Sequence, residues 1–493
     1  MTLTEPVPPR RDLLYNPPDS VEPAGNSYDG SCQMRECIYG LDREVPLLDG
    51  SRVRYVNLDN AASTPPLVQV VDALAEMAPY YSSVHRGTGY KSRLCTEAYD
   101  IAHATVGEFV GADPGTSSVI FVKNATEAIN KLAHRLAAVD DRIIVTTRLE
   151  HHSNDLPWRD HFRTIHVRAT ADGRFDEEDF DRILRENAGR IALVAVTGAS
   201  NVTGYIQPVH RLAAKTHEAG ARILVDAAQL APHRKIDMRP DGDPEHLDFI
   251  ALAGHKMYAP YGTGALVGPS AFFLQGGPDY SGGGTVHVVT PDEVHWGKTP
   301  DRDEAGSPNV MGAIAMAVAA RTLMNKGMDQ VAEHERVLTE YTLGRLAAMP
   351  GVTVYGEKDP SRAAEKVGVI PFNLAAADHA LVAAVTGYEG GIGVRNGCFC
   401  AHPYVVHLLH LNSEESGRWR SQFLAGDKSG MPGMVRMSFG CYSSQEDVDR
   451  LLSMLEKIEK GEYFGDYVME KVSGSYLPRG YSDDFSSILG GRM

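Results

Sequence analysis

The sequence predicts an α/β protein: a three-layer α/β/α large domain followed by a smaller C-terminal α+β domain. Three observations carry this expectation. The chain has 493 residues, about three times a common single-domain length, so two packed domains with extensions are expected. Between about residues 70 and 310, short β-branched apolar runs alternate with helical patterns. That alternation indicates a mostly parallel sheet covered on both faces. From about residue 326 the pattern changes to a long helix followed by strands and helices in mixed order.

Residues 1–54 are rich in Pro, Gly and polar side chains with little periodicity. They read as an extension that either wraps a surface or is partly mobile. LVQVVDALAEMAPYY and TEAYDIAHATVGEFVG have helical spacing. SVIFVK reads as a short apolar strand, and TEAINKLAHRLAAV as the helix after it. The strands RIIVTT, TIHVRA, RIALVAVTG, ARILVDAA, LDFIALAG and GALVG follow, with the helices DEEDFDRILREN and PVHRLAAKTHEAG between them. These define a large domain over 55–325, whose opening residues pack on it or on the small domain. A small domain over 326–465 starts with the helix MDQVAEHERVLTEYTLGRLAAM. VTVYG, VGVIPFNL, a helix near 378–388, GIGVRNG, VRMSFGCY and the helix SQEDVDRLLSMLEKIEKG complete it. Residues 405–434 read as an insertion, and 466–493 as a Gly/Ser/Tyr-rich tail with weak periodicity.

Composition sets the broad class. Hydrophobic residues make up 43% and charged residues 23%, as in soluble globular proteins. Lys and Arg total 48 against 64 Asp and Glu, a formal charge of −16. That balance argues against a nucleic-acid or anionic-membrane binder, which needs a basic face. No apolar run reaches the roughly 18 residues of a membrane span, and the first residues lack the apolar stretch of a secretory signal. Six cysteines in so long a chain imply no disulfide framework. A reducing, cytoplasmic setting is expected. Cys32 and Cys37 are read as structural or inert thiols.

In sheets of this kind ligands bind beyond the carboxyl ends of the strands. After SVIFVK comes Asn124-Ala125-Thr126-Glu127 at a helix start, which is a helix cap or an anion site. After IIVTTRL come Glu150, His151 and His152, open to a structural, stacking or ligand role. Asn201 follows the next strand. Asp226 and Gln229 follow ARILV, where the carboxylate either caps a turn or pairs with a buried cation. His255 and Lys256 follow LDFIALAG. A lysine at the end of a buried strand is uncommon, and desolvation makes its amine nucleophilic toward carbonyls. One ligand suits the set. Lys256 would form a Schiff base with an aldehyde, Asp226 would pair with a protonated ring nitrogen, Thr126 would hold a phosphate, and His151 would stack. That ligand is pyridoxal 5'-phosphate.

At this point the sequence resembles the class V aminotransferase family of pyridoxal-phosphate enzymes with the type I fold, and most of all its cysteine desulfurase and selenocysteine lyase branch. The strings LDNAAST, VHRG, TEAIN, LEHHSN, SNVTG, VDAAQ, AGHKMYAPYGTGAL, EAGSPN, GVRNGCFCAHP and VRMSFGCY carry the resemblance. It implies Lys256 as the Schiff-base lysine and proton shuttle, and His151 stacked on the cofactor. Asp226 contacts the pyridine nitrogen, Gln229 and Asn201 the phenolic oxygen, and Thr126 with Ala125 and His255 the phosphate. Arg436, with Arg395 and Asn201 nearby, binds the substrate carboxylate. It further implies a homodimer in which Ser307 or Thr285 reaches the partner's phosphate.

The loop Arg395-Asn396-Gly397-Cys398-Phe399-Cys400-Ala401-His402-Pro403 resembles the branch's R-x-G-x-x-C-A-x-P. It places Cys400 as the thiolate that takes sulfur from L-cysteine, leaving alanine and a persulfide for a sulfur-acceptor protein. The alternative is another class V reaction on an amino acid, such as a C–S lyase, an epimerase or an aminotransferase, which needs no catalytic cysteine. A noncatalytic partner-binding or sulfur-relay scaffold conflicts with the intact Lys256/Asp226/His151 set. No metal site is expected, because His151 and His152 are adjacent rather than one helical turn apart. Three departures stand out. Cys398 is an extra thiol, inert, able to resolve a persulfide, or able to bind a metal with His402. Ala253 stands where the family often has a phosphate-binding hydroxyl. The insertion at 405–434 could dock a partner, cover the site or reshape the pocket.

Overall fold

The computed structural model of the chain describes residues 34–490. Its largest sheet has seven strands in the order Ser117–Val122, Gly264–Pro269, Phe249–Ala253, Arg222–Asp226, Ile191–Thr197, Ile143–Thr147, Thr164–Val167. All neighbours run parallel except Gly264–Pro269, which is antiparallel to both of its partners. The expected class is therefore found, with one reversed strand that the apolar runs alone could not reveal.

Every residue of Ile191–Thr197 and of Phe249–Ala253 is buried. Period-two alternation sends their side chains to opposite layers. Val194, Val196, Ile250 and Leu252 enter one core, while Leu193, Ala195, Phe249 and Ala251 enter the other. The helices Tyr90–Phe109 and Val310–Lys326 supply the first layer. The helix Ala125–Ala137 and Trp158 supply the second.

A second sheet has four antiparallel strands in the order Val352–Val354, Val369–Leu374, Met434–Ser438, Arg395–Gly397. Ile370, Phe372, Val435 and Met437 face its core with the helices His379–Gly390 and Gln445–Lys460. Alternation then puts Arg436 on the opposite face. Its register partner on the edge strand is Arg395. The early segment Val56–Asn57 pairs in parallel with Ile392–Gly393, and Val56 and Leu58 join this second core.

Two stretches differ from expectation. The tail forms an antiparallel hairpin, Tyr467–Glu470 with Ser475–Pro478. It is fixed by the Tyr467 hydroxyl donating to Glu389 at 3.0 Å and by Tyr388 against Tyr467 and Tyr481. Tyrosines bury a ring while keeping a wet tip, so the strands lack the apolar alternation that would mark them. A second unanticipated hairpin, Val286–Val289 with Val294–Trp296, leaves Val288, Val289 and Val294 exposed. From the N-terminal extension, Met34 and Ile38 are buried, and Arg35 donates to Asp447 at 2.9 Å. Cys32 lies outside the described residues. Among the described residues no helix is long and apolar enough to cross a membrane.

Candidate active site

The strand ends of the large sheet and the arginine face of the small one enclose a cavity of about 250 Å³. Ala125 and Thr126 line it from the start of the helix Ala125–Ala137, which Asn124 caps by accepting from Glu127 N at 3.0 Å. His151, Asn201, Asp226 and Gln229 line its wall, and His255 and Lys256 its floor. Arg395, Cys400 and Arg436 close the side formed by the small sheet. Ser307 is exposed and outside this cavity, and Thr285 is buried with its hydroxyl donating to Gly282 O at 2.7 Å.

Electrostatics in the cavity follow from burial. Lys256 is partly buried, and desolvation, against the attraction of Asp226 and with repulsion from Arg436, pulls its pKa down to about 8. Its one hydrogen-bond contact, Gln229 Oε1, is at a long 3.4 Å. Burial raises the Asp226 carboxyl, opposed by the Ala228 N–H donating to Oδ1 at 3.0 Å and by Lys256. Asp226 thus accepts a turn hydrogen bond and feels the charge of Lys256, without a direct ion pair to it among the described contacts. Burial and the charge of Lys256 push His151 down to about 3. Ser153 N–H donates to His151 Nδ1 at 3.1 Å, so the neutral ring carries its proton on Nε2. His255 falls to about 4 for the same causes.

Arg436 is 3% exposed. Nη1 donates to Asn201 O at 3.0 Å and Nη2 to Asp59 Oδ1 at 2.8 Å, while Nε is buried without a partner among the described residues. Its guanidinium lies over the Phe399 ring, 4.9 Å from the centroid. The Cys400 loop is held at several points. Phe399 and Cys400 both take left-handed backbone, φ 51° and 54°. Such conformations in non-glycine residues persist where surroundings enforce them. Here His152 N donates to Cys400 O at 2.8 Å, and Asn201 Nδ2 to Phe399 O at 2.8 Å. The Cys400 side chain is left exposed. Cys398 is buried, its thiol donating to Pro432 O at 3.0 Å and pushed up to about 12, so it stays protonated. In the 405–434 stretch, the helix Ser413–Leu424 buries no residue and meets the loop through Trp419, 6.4 Å from His402.

Sequence reading missed several residues at this site. Asp59 bridges the small sheet to Arg436. His152 anchors the loop. Ser153 lines the cavity with its hydroxyl 2.7 Å from that of Thr126. It offers a hydroxyl beside the helix start where Ala253 offers none.

A family model for class-V aminotransferases matches residues 56–451. The chain belongs to the class-V aminotransferase family. A cysteine desulfurase of Haloferax volcanii is 33% identical over 419 residues, 83% of this chain and 90% of the relative. A probable cysteine desulfurase of Streptomyces coelicolor is 34% identical over 438 residues, 86% of this chain and 96% of the relative. Among solved structures, a cysteine desulfurase from Thermococcus onnurineus, in its apo form, aligns with a TM-score of 0.72 at 30% identity. That alignment covers 83% of this chain and 95% of the other. A cysteine desulfurase from Escherichia coli, in an S-sulfonic acid form, aligns at 0.70 and 26% identity, covering 88% and 99%. The type I fold and a pyridoxal-phosphate enzyme class follow for this class V chain.

Proposed function

We propose that the protein is a pyridoxal-phosphate-dependent cysteine desulfurase that takes sulfur from L-cysteine onto Cys400. The observation that carries this reading is an exposed thiol on an enforced left-handed loop, facing the same cavity as a partly buried, desolvated lysine.

The cavity fits the cofactor through its donor set. A desolvated amine, a buried carboxylate, a neutral imidazole and a helix start with two hydroxyls converge on one space. Lys256 would hold the aldehyde carbon, Asp226 the ring nitrogen, and His151 the ring face. Ala125, Thr126, Ser153 and His255 would hold the phosphate, and Gln229 and Asn201 the phenolic oxygen. Bound there, pyridoxal phosphate supplies an electron-accepting ring conjugated to the substrate amine.

Lys256, once released, is the base placed to move the Cα proton, because a pKa near 8 lets it both accept and return it at neutral pH. Arg436 Nε and the Nη2 now on Asp59 can take the substrate carboxylate, fixing the amino acid within reach of Cys400. The Cys400 thiolate then bonds to the substrate sulfur as the carbon–sulfur bond breaks. The electron pair left on Cβ takes a proton, giving alanine, and the sulfur stays as Cys400 persulfide. A thiol reductant or an acceptor protein's thiol removes it. The test is incubation of the cofactor-loaded protein with L-cysteine and dithiothreitol, measuring alanine and sulfide together. Equal amounts are expected. Sulfide with pyruvate and no alanine would replace this reading with β-elimination.

Arg436→Ala should raise the KM for L-cysteine by about 10- to 100-fold, the loss of one charge-assisted pair, with a smaller change in kcat. Steady-state kinetics checks this. Ser153→Ala should weaken cofactor affinity by about 3- to 10-fold, one hydrogen bond, read by titrating pyridoxal phosphate into the cofactor-free chain.

Stability carries a signature of Lys256 as well. Its folded pKa of about 8 lies below the ordinary 10.5. Between those values the unfolded chain binds more protons, so the stability of the cofactor-free chain rises with pH in that window. Below about pH 8 the folded state bears the full cost, on the order of 3 kcal/mol. Lys256→Met should therefore be the more stable chain at pH 7, and its advantage should vanish near pH 10.5. Thermal unfolding of both cofactor-free chains across that range tests it.

A further inference from the structure

At the opposite ends of the central strands from the cavity, three side chains meet. His217 lies in the last turn of the helix Val209–Glu218, His246 in the loop before Phe249–Ala253, and Asp248 immediately before that strand. Their ligand atoms all lie within 4.8 Å of one another. His217 Nε2 is 2.9 Å from Asp248 Oδ2, and His246 Nε2 is 3.4 Å from Asp248 Oδ1. The imidazole rings stack at 4.3 Å with 20° between planes.

The proton positions follow from the carbonyls behind the rings. His217 Nδ1 sits 2.8 Å from Pro244 O, and His246 Nδ1 2.7 Å from Asp243 O. A carbonyl only accepts, so both Nδ1 atoms carry hydrogen. In the neutral rings both Nε2 atoms are then lone pairs, aimed at a carboxylate that is itself an acceptor. Asp248 is 8% exposed and fixed by the Ile223 N–H, which donates to Oδ2 at 2.9 Å. Two lone pairs against an anion need positive charge between them. Two extra protons would make two imidazolium rings stacked face to face. A single cation between the three groups satisfies both rings and the carboxylate at once.

We infer that His217, His246 and Asp248 form a binding site for a divalent transition-metal ion of the zinc type. Two imidazoles with one carboxylate favour zinc, cobalt or nickel over magnesium or calcium. Tetrahedral bonds of about 2.0–2.1 Å place ligand atoms roughly 3.3–3.4 Å apart, close to the 3.4 Å of His246 to Asp248. Backbone carbonyls on both Nδ1–H groups are the outer contacts that orient metal-binding histidines. Both rings are partly exposed, so water completes the coordination. The ion would tie the helix Val209–Glu218 and the 240–248 loop to the starting ends of Arg222–Asp226 and Phe249–Ala253. The first of those strands ends at Asp226 and the second leads into Lys256. The site is thus a staple under the catalytic strands, remote from the reacting atoms.

The test uses the cofactor-loaded protein, stripped with a chelator and refilled with zinc or cobalt. About one metal per chain is expected, with a rise in Tm of about 3 °C or more at saturating zinc. The cobalt form should show a tetrahedral d–d spectrum without a thiolate-to-metal charge-transfer band. His246→Gln and His217→Gln should each lose the metal and the Tm gain while keeping desulfurase turnover at low temperature. Should a variant fail to fold, the wild-type cobalt spectrum decides, since a thiolate band would overturn the assignment. Failure to bind metal at micromolar free zinc overturns it, leaving a protonated histidine pair. So does binding that survives both histidine variants and disappears in Cys400→Ala.

Discussion

Replacing Lys256 with alanine should give a folded chain that no longer holds pyridoxal phosphate covalently, loses its visible absorbance and turns over at least about 10⁴-fold more slowly. The size of the effect follows from two functions lost together, the amine that bonds the aldehyde and the base that moves the Cα proton. A lowered pKa alone does not single out this residue. Lys366 is fully buried, has no hydrogen-bond partner on Nζ among the described residues and is pulled down to about 7 by burial. What separates the two is position. Lys256 lines the cavity with Asp226 and His151, and Lys366 does not. Lys366→Met should therefore keep the absorbance and the turnover. Retained absorbance in Lys256→Ala, with loss in Lys366→Met, would move the cofactor out of this cavity and sink the proposed chemistry.

Strand ends make the cavity wall legible in the sequence. In a parallel sheet the residue after each apolar run has only one place to go, so Thr126, His151, Asn201, Asp226 and Lys256 group together from the sequence alone. The same logic fails for residues brought in by chain reversal. Asp59 reaches Arg436 across 377 positions, and the LDNAAST segment that carries it has no periodicity linking it to the small sheet. His152 was visible only as a neighbour of His151. Its role depends on a backbone contact to Cys400 that no local pattern encodes. Ser153 offers a hydroxyl beside the start of the helix Ala125–Ala137, which only the folded geometry pairs with Thr126.

The histidine–aspartate cluster was hidden for a related reason. His217 and His246 lie on a helix end and in a loop, without the short spacing of a familiar ligand motif. The tail hairpin was hidden by its composition, since tyrosines replaced the apolar residues that mark strands. Long-range pairing and the handedness of single residues, as at Phe399 and Cys400, are properties of the assembled chain.

Cys400→Ala should abolish alanine and sulfide production from L-cysteine, by about 10³-fold or more, while leaving cofactor absorbance and Tm close to wild type. The two halves of this expectation have separate causes. The side chain is exposed and donates no structural hydrogen bond among the described contacts, so its sulfur can go without disturbing the core. The loop is held by its backbone, through His152 N on Cys400 O and Asn201 on Phe399 O, and those contacts survive an alanine. Chemistry is another matter, because the neighbouring sulfur cannot stand in. Cys398 is two residues away but buried, protonated up to about pH 12 and turned toward Pro432. Cys398→Ala should consequently retain most activity. If Cys400→Ala still releases equal alanine and sulfide, the persulfide step is wrong. An elimination or transamination started by Lys256 then becomes the reading to test, by assaying pyruvate and keto-acid products from the same variant.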